Sequence, residues 1–241
     1  ADHYGCPVVL ENDVRLGAFG AFHYLRRHDP ARFRGLNSLA YISIGTGLAV
    51  GLVINGCLYR GSRGMAGELG HVQVEPDGPR CNCGGRGCAE QYISGPGLAH
   101  LARSRLAEFP ASSLHGTEGA LSARTIFEAA AGGDDAARAL VDQFSGWIAR
   151  LLFNVVLAYD VAYLVLGGGI TKAGPVLLDA VFRRIDLLRA DLPLAQLLLD
   201  PEQVVVVPDQ NMGIWGGITL ATEARLNQSH MTEKAGRLPS P

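Results

Sequence analysis

Charge is scarce in this 241-residue sequence: Asp, Glu, Lys and Arg make up 18% of it, and 21 basic against 23 acidic residues leave a formal net charge of −2. With no basic stripe, the chain has no electrostatic footprint for a polyanion, so no nucleic acid is expected to bind through this segment. Low charge combined with 48% apolar residues also excludes extended disorder over most of the length. No apolar run crosses a bilayer uninterrupted. The best candidate, 147–166, is broken by Arg150, Asn154 and Asp160, whereas a span needs about 20 mostly apolar residues. It reads as a buried helix followed by a buried strand, and no membrane partner is expected. The opening Ala1-Asp2-His3-Tyr4 has neither the charged nor the apolar region of a secretion signal, so a cytoplasmic location is the expectation. Only five cysteines occur, yet Cys81, Cys83 and Cys88 fall close together. In a reducing compartment such a cluster favours a metal over disulfides.

What the sequence has in excess is glycine, 31 residues of 241, nearly twice the usual share of about 7%. Many of these glycines stand where strands meet helices, the place where ligands are usually held. Residues 7–10 form a short β-branched run that meets Glu11-Asn12-Asp13, and helical spacing follows over 14–27. Two strand-like runs, 39–44 and 49–54, flank Gly45-Thr46-Gly47-Leu48, and Asn55-Gly56 is a hairpin turn before a third, giving an antiparallel meander. Residues 61–70 lack periodicity, and 76–95 form a loop rich in Gly, Pro and Cys. Helices are expected over 98–109, 122–131 and 135–159, the last capped by Asp134-Asp135. A continuous apolar strand over 161–166 then ends in Gly167-Gly168-Gly169, a helix starts at Pro175, and a strand over 204–207 precedes a final helix to about Leu226. Residues 227–241 are polar and read as a disordered tail. No repeat is visible, and hairpins first with alternating strand and helix later predict a mixed α/β sheet.

Chemistry concentrates in four places. His71, Cys81, Cys83 and Cys88, spaced His-x9-Cys-x-Cys-x4-Cys, offer one imidazole and three thiolates. That donor set suits a closed tetrahedral zinc with a structural role, since no position is left for water. Asp13, next to Asn12 at the strand-to-helix corner, is either a helix cap or a general base, and the two roles are compatible. Glu68, His71 and Glu90 flank the cysteine loop. They are either solvated charges or the hydrogen-bond acceptors that a polyhydroxylated ligand needs. The turns Gly45-Thr46-Gly47 and Gly167-Gly168-Gly169 let backbone N–H groups approach phosphate, and simple turn geometry would explain them as well. Neither turn fits a Rossmann or Walker pattern.

Taken together these residues resemble the ROK family of sugar kinases and sugar-responsive repressors. The resemblance runs from Pro7 to about Leu226 through Glu11-Asn12-Asp13, Ser43-Ile44-Gly45-Thr46-Gly47, Gly67-Glu68-Leu69-Gly70-His71, the segment from Cys81-Asn82-Cys83 to Cys88-Ala89-Glu90, and Leu166-Gly167-Gly168-Gly169. It implies an α/β, actin-like ATPase (RNase H-like) fold of two lobes closing on a sugar and ATP. By the resemblance, Asp13 takes a proton from a sugar hydroxyl, and Asn12, Glu68, His71 and Glu90 hold the sugar. Gly45, Thr46 and Gly47 face the ATP phosphates, Gly167, Gly168 and Gly169 face the nucleotide, and magnesium accompanies ATP. A homodimer is also implied.

The resemblance has departures. Family kinases carry a strand and Asp-x-Gly-Gly-Thr well ahead of the Asn-Asp pair, and this sequence has no such segment. The expectation is a chain lacking most of the N-terminal lobe, with 1–37 a remnant of it, 38–211 the large lobe with its zinc loop at 71–90, and 212–226 a C-terminal helix. Alone it is expected to transfer phosphate poorly. Ala49-Val50 stands where glycines are usual, and Ala21 where Glu is common. Two functions remain open: an ATP-dependent kinase for a hexose or N-acetylhexosamine, and the sugar-sensing domain of a repressor. The features that separate them lie upstream, a phosphate loop in one and a helix-turn-helix in the other.

Overall fold

The computed structural model describes residues 8–116, 121–207 and 211–235, of 226–235 the backbone only. Helix α1 (Asp13–His28) and the short α2 (Pro30–Phe33) lead into strands β1 (Leu39–Ile44), β2 (Leu48–Ile54) and β3 (Cys57–Leu58). Helices α3 (Gly95–Arg105), α4 (Ala123–Ala131) and α5 (Asp135–Tyr159) follow, then β4 (Tyr163–Gly167), α6 (Pro175–Asp191), α7 (Pro193–Leu198), β5 (Val204–Val206) and α8 (Met212–Ala235). The strands form one sheet of order β3-β2-β1-β4-β5, antiparallel from β3 to β1 and parallel from β1 to β5.

β1 is central and, apart from the half-buried Ser43, buried on both faces, as its mostly apolar run requires. Ala40, Ile42 and Ile44 face the core shared with α3 to α6, while Leu39 and Tyr41 face the core shared with α1 and α8. The alternation continues in β4, where Leu164 and Leu166 point one way and Val165 the other. α5 is long and apolar enough to cross a membrane by composition, but most of it is buried in the first core. α1 packs on the same sheet as the elements after it, sharing a core with Leu39, Tyr41, Val53 and Val165.

Two expectations need correction. Residues 8–10 form no strand: Val8, Val9 and Leu10 are exposed and have no ladder partner, and β-branched composition does not make a strand without one. Pro7 lies outside the described residues. The last helix does not stop near Leu226 but runs to Ala235, because after Gly217 neither Gly nor Pro interrupts the sequence until Gly236. The tail beyond 235 lies outside the described residues. The helix expected from Pro175 is α6, preceded by a 3-10 segment, Gly169–Ala173.

The capping residues of α5 behave as expected, and one carries a pH signature. Asp134 accepts from Ala137 N at 2.9 Å and Ser113 N at 2.6 Å, and the hydroxyls of Ser112 and Ser113 also bond to it. Burial raises its pKa, but these bonds outweigh burial and hold the carboxyl at about 2, below the ordinary 3.8. A depressed folded pKa stabilises above the unfolded value, and that stability fades as pH falls from about 4 towards 2. Asp134→Ala is therefore expected to lower the melting temperature at neutral pH by about 2–6 °C. Melting curves should show the deficit shrinking towards pH 2.

Candidate functional site

The site is built along β2. Glu90 Oε2 accepts from Leu48 N at 2.9 Å. The carbonyl of Leu48 lies where a side chain on Gly70 would stand, and the carbonyl of Val50 occupies the same position against Gly67. Val50 N donates to Gly67 O at 2.9 Å, and Gly67 has φ +91°, a left-handed conformation that glycine adopts without strain. On α1, Val14 O would stand 2.6 Å from a Cβ on Gly51. At about 3.3 Å per residue, Leu48 to Gly51 spans about 10 Å. The segments bearing Glu90, His71, Glu68 and Asp13 are thus fastened to one short stretch of strand.

At the corner before α1, Asn12 is the helix cap: its Oδ1 accepts from Val14 N at 3.0 Å and Arg15 N at 3.1 Å. That leaves its amide as a donor. Asp13 is exposed at the first helical position, with Oδ1 accepting from Val14 N at 2.9 Å. It lines a cleft of about 560 Å³ with Tyr41, Ser43, Gly167, Gly168, Gly169 and Lys172. A second cleft of about 910 Å³ holds Gly45 and Thr46, the apolar Phe127 and Val176, and Arg124 and Glu128. Gly169 and Lys172 line both clefts, so the two meet there.

Not every expected residue is where the spacing put it. Gly47 lines neither cleft; a Cβ there would stand 2.5 Å from Glu90 Oε2, so its place is behind that carboxylate. Gly47→Ala is expected to displace Glu90 and weaken the binding of any ligand that Glu90 holds by about tenfold or more, a loss visible by calorimetry. Glu68, His71 and Glu90 also line neither cleft. Sequence reasoning missed Tyr41, whose ring packs against Gly17 and Gly167. It also missed Lys172, one of only two lysines in the chain and three residues beyond the triple glycine, which was a readable signal.

The donor atoms of His71, Cys81, Cys83 and Cys88 lie within 4.8 Å of one another. Cys81 Sγ is 3.6 Å from His71 Nδ1, and Cys83 Sγ is 3.6 Å from Cys88 Sγ. Ligands around a tetrahedral zinc, at about 2.3 Å for sulfur and 2.0–2.1 Å for nitrogen, stand about 3.6–3.8 Å apart, so the set fits. The loop closes on itself through Cys81 N to Gly85 O at 2.9 Å and Ala89 N to Val72 O at 2.9 Å. The Gly85 backbone and the neighbouring thiols lower the Cys83 pKa, while burial and the other sulfurs push Cys88 up to about 12. Three adjacent thiolates need a cation among them.

Comparison with known proteins gives this geometry its context. The chain is 34% identical to the glucokinase of Halalkalibacterium halodurans over 179 residues, 73% of this chain and 52% of the relative. It is 30% identical to the xylose repressor of Bacillus subtilis over 182 residues, 75% of this chain and 42% of the relative. The chain thus spans about half the length of the curated relatives it matches. The crystal structure of a ROK family glucokinase from Streptomyces griseus, in complex with glucose and AMPPNP, superposes with a TM-score of 0.75 at 29% identity, covering 92% of this chain and 70% of that one. The single mixed sheet with helices on both faces is therefore part of an actin-like ATPase fold. The ROK family model matches residues 1–223, and with fold and motifs agreeing, the chain belongs to the ROK family.

Proposed function

We propose that the chain is the sugar-binding and nucleotide-facing part of a sugar kinase that transfers a phosphoryl group from magnesium-ATP to a hydroxyl of a hexose or N-acetylhexosamine. The observation that carries this reading is the junction of two clefts, one with a carboxylate, Asp13, and one with Gly45 and Thr46, at Gly169 and Lys172. A base beside the acceptor and a cradle for the donor must be contiguous for phosphoryl transfer.

In this reading Asp13 accepts the proton of the attacking hydroxyl, and the Asn12 amide donates to a neighbouring sugar oxygen. Glu90 is held by one oxygen on Leu48 N and keeps the other for a hydroxyl. His71 turns Nδ1 towards the sulfurs, which leaves Nε2 for the sugar. Glu68 completes the set. Gly45, Thr46 and Gly167 to Gly169 receive the nucleotide, with the Lys172 ammonium at the junction to offset phosphate charge. Zinc on His71, Cys81, Cys83 and Cys88 holds the wall carrying Glu90 in shape and takes no part in transfer. A reduced cluster of this kind agrees with a cytoplasmic location, and a homodimer belongs to the same reading.

Similarity to the xylose repressor favours a second reading, a sugar-sensing domain without turnover. An assay of ATP consumption over a panel of hexoses and N-acetylhexosamines, run on a form extended to the length of the curated relatives, separates them. Sugar-dependent turnover supports the kinase, and saturable sugar binding without turnover supports the sensor.

A further inference from the structure

Glu11 is a carboxylate whose side chain is only 4% exposed, yet it stands in an otherwise exposed stretch of chain. Its Oε1 meets Arg15 Nε at 2.5 Å and its Oε2 meets Arg60 Nε at 2.6 Å. Asn12 N also donates to Oε1, at 3.0 Å. Burial raises its pKa, but the Arg15, Asn12 and Arg60 contacts outweigh burial and keep the carboxyl below the usual carboxylate range. Arg15 reaches further, donating from Nη1 to Gly64 O at 2.6 Å.

Residues 60–67 have little to hold them otherwise. Gly61, Gly64 and Gly67 all have positive φ, and the segment has no strand partner until Gly67 O meets Val50 N. Its internal bonds are Ala66 N to Arg60 O at 3.1 Å and Gly64 N to Gly61 O at 3.4 Å. One carboxylate therefore grips the loop at its start through Arg60, and at its tip through Arg15. It is covalently next to Asn12 and Asp13, while the loop it grips runs directly into Glu68.

We propose that Glu11 is a positioning residue that sets the spacing between the Asn12–Asp13 corner and the Glu68 arm, by clamping the loop 60–67 through Arg15 and Arg60. Its consequence for ligand binding rests on the sugar-site reading above; the clamp itself does not. The Glu11–Arg15 pair, with both side chains largely shielded, is costly to break from one side, because the remaining charge stays desolvated.

The test uses Glu11→Gln and, because Arg60 is half exposed and its loss leaves the fold intact, Arg60→Gln as a second variant, with the double variant. Amide hydrogen exchange is read without ligand at Ala66 and Leu69, whose N–H groups donate to Arg60 O and Gly67 O, and calorimetry reads the affinities for the hexose panel and for an ATP analogue. Exchange at these amides should rise by about tenfold or more in each variant and no further in the double, as coupled partners behave. Sugar affinity should fall by about tenfold to a hundredfold while nucleotide affinity is unchanged, a split that general destabilisation would not produce. Unchanged exchange in both folded variants overturns the clamp, whether or not the wild-type chain binds sugar. Faster exchange with sugar affinity intact overturns the positioning role. Faster exchange in a chain whose wild type binds no sugar upholds the clamp and removes the sugar-site reading alone.

Discussion

In the proposed kinase, assayed in a form extended to the length of the curated relatives, Asp13→Asn is expected to slow hexose phosphorylation by about 10²–10⁴-fold, the range lost when a positioned general base is removed, with sugar affinity kept within about tenfold. The geometry makes this substitution unusually clean. The helix start does not depend on Asp13, because Asn12 caps Val14 N and Arg15 N. An Asn at position 13 can still accept from Val14 N as Asp13 Oδ1 does. What the amide lacks is the ability to take a proton from the attacking hydroxyl. Loss of turnover without loss of melting temperature therefore isolates the base. Turnover at the wild-type level would return Asp13 to a purely local role at the first turn. Asn12→Ala, by contrast, should cost about 0.5–2 kcal/mol of stability through the lost cap.

Cys83→Ser should reduce bound zinc from about one equivalent to nearly none and lower the melting temperature by about 10 °C. The segment from His71 to Glu90 is held by isolated bridges, Gln73 to Cys88 and Arg80 to Arg86, and by 3-10 turns rather than by a ladder or a long helix. Without an ion to gather the sulfurs, the buried Cys88 thiol stays protonated and the loop loses its cross-link. Glu90 follows Cys88 by two residues, so its bond to Leu48 N should weaken and sugar affinity fall with the metal. Cys57→Ser is the matched control, since Cys57 is exposed and lies outside the cluster. Equal metal content and melting in the Cys83 variant would contradict a zinc site.

The sheet and most helices were legible because local signals and tertiary demands agree. Asn55-Gly56 closes the β2–β3 hairpin, Asp134 caps α5, and β1 is apolar but for Ser43 because both its faces are covered. The metal cluster was legible for a different reason: thiolate and imidazole spacing reports donor chemistry directly. The failures occur where a residue's role is decided by what lies across the fold. Val8 to Leu10 have strand composition and no partner. What the sequence alone does not show of Gly47 is that its missing side chain makes room for Glu90, 43 positions along the chain. Glu11 has no local signal for a clamping role until Arg60 is brought beside it. Lys172 gains its place only when the clefts on either side of Gly169 are assembled.

The central claim is that the zinc-organised wall on β2 and the Asp13 corner form one sugar site. Its most direct test is calorimetric titration of hexoses and N-acetylhexosamines into the chain, first loaded with zinc and then stripped by a chelator, with melting followed in parallel. The account predicts saturable binding of one sugar per chain in the zinc-loaded form and its loss in the stripped form, while an ATP analogue binds both forms alike. Sugar binding that is indifferent to zinc, or no sugar binding by the folded, zinc-loaded chain, would contradict it.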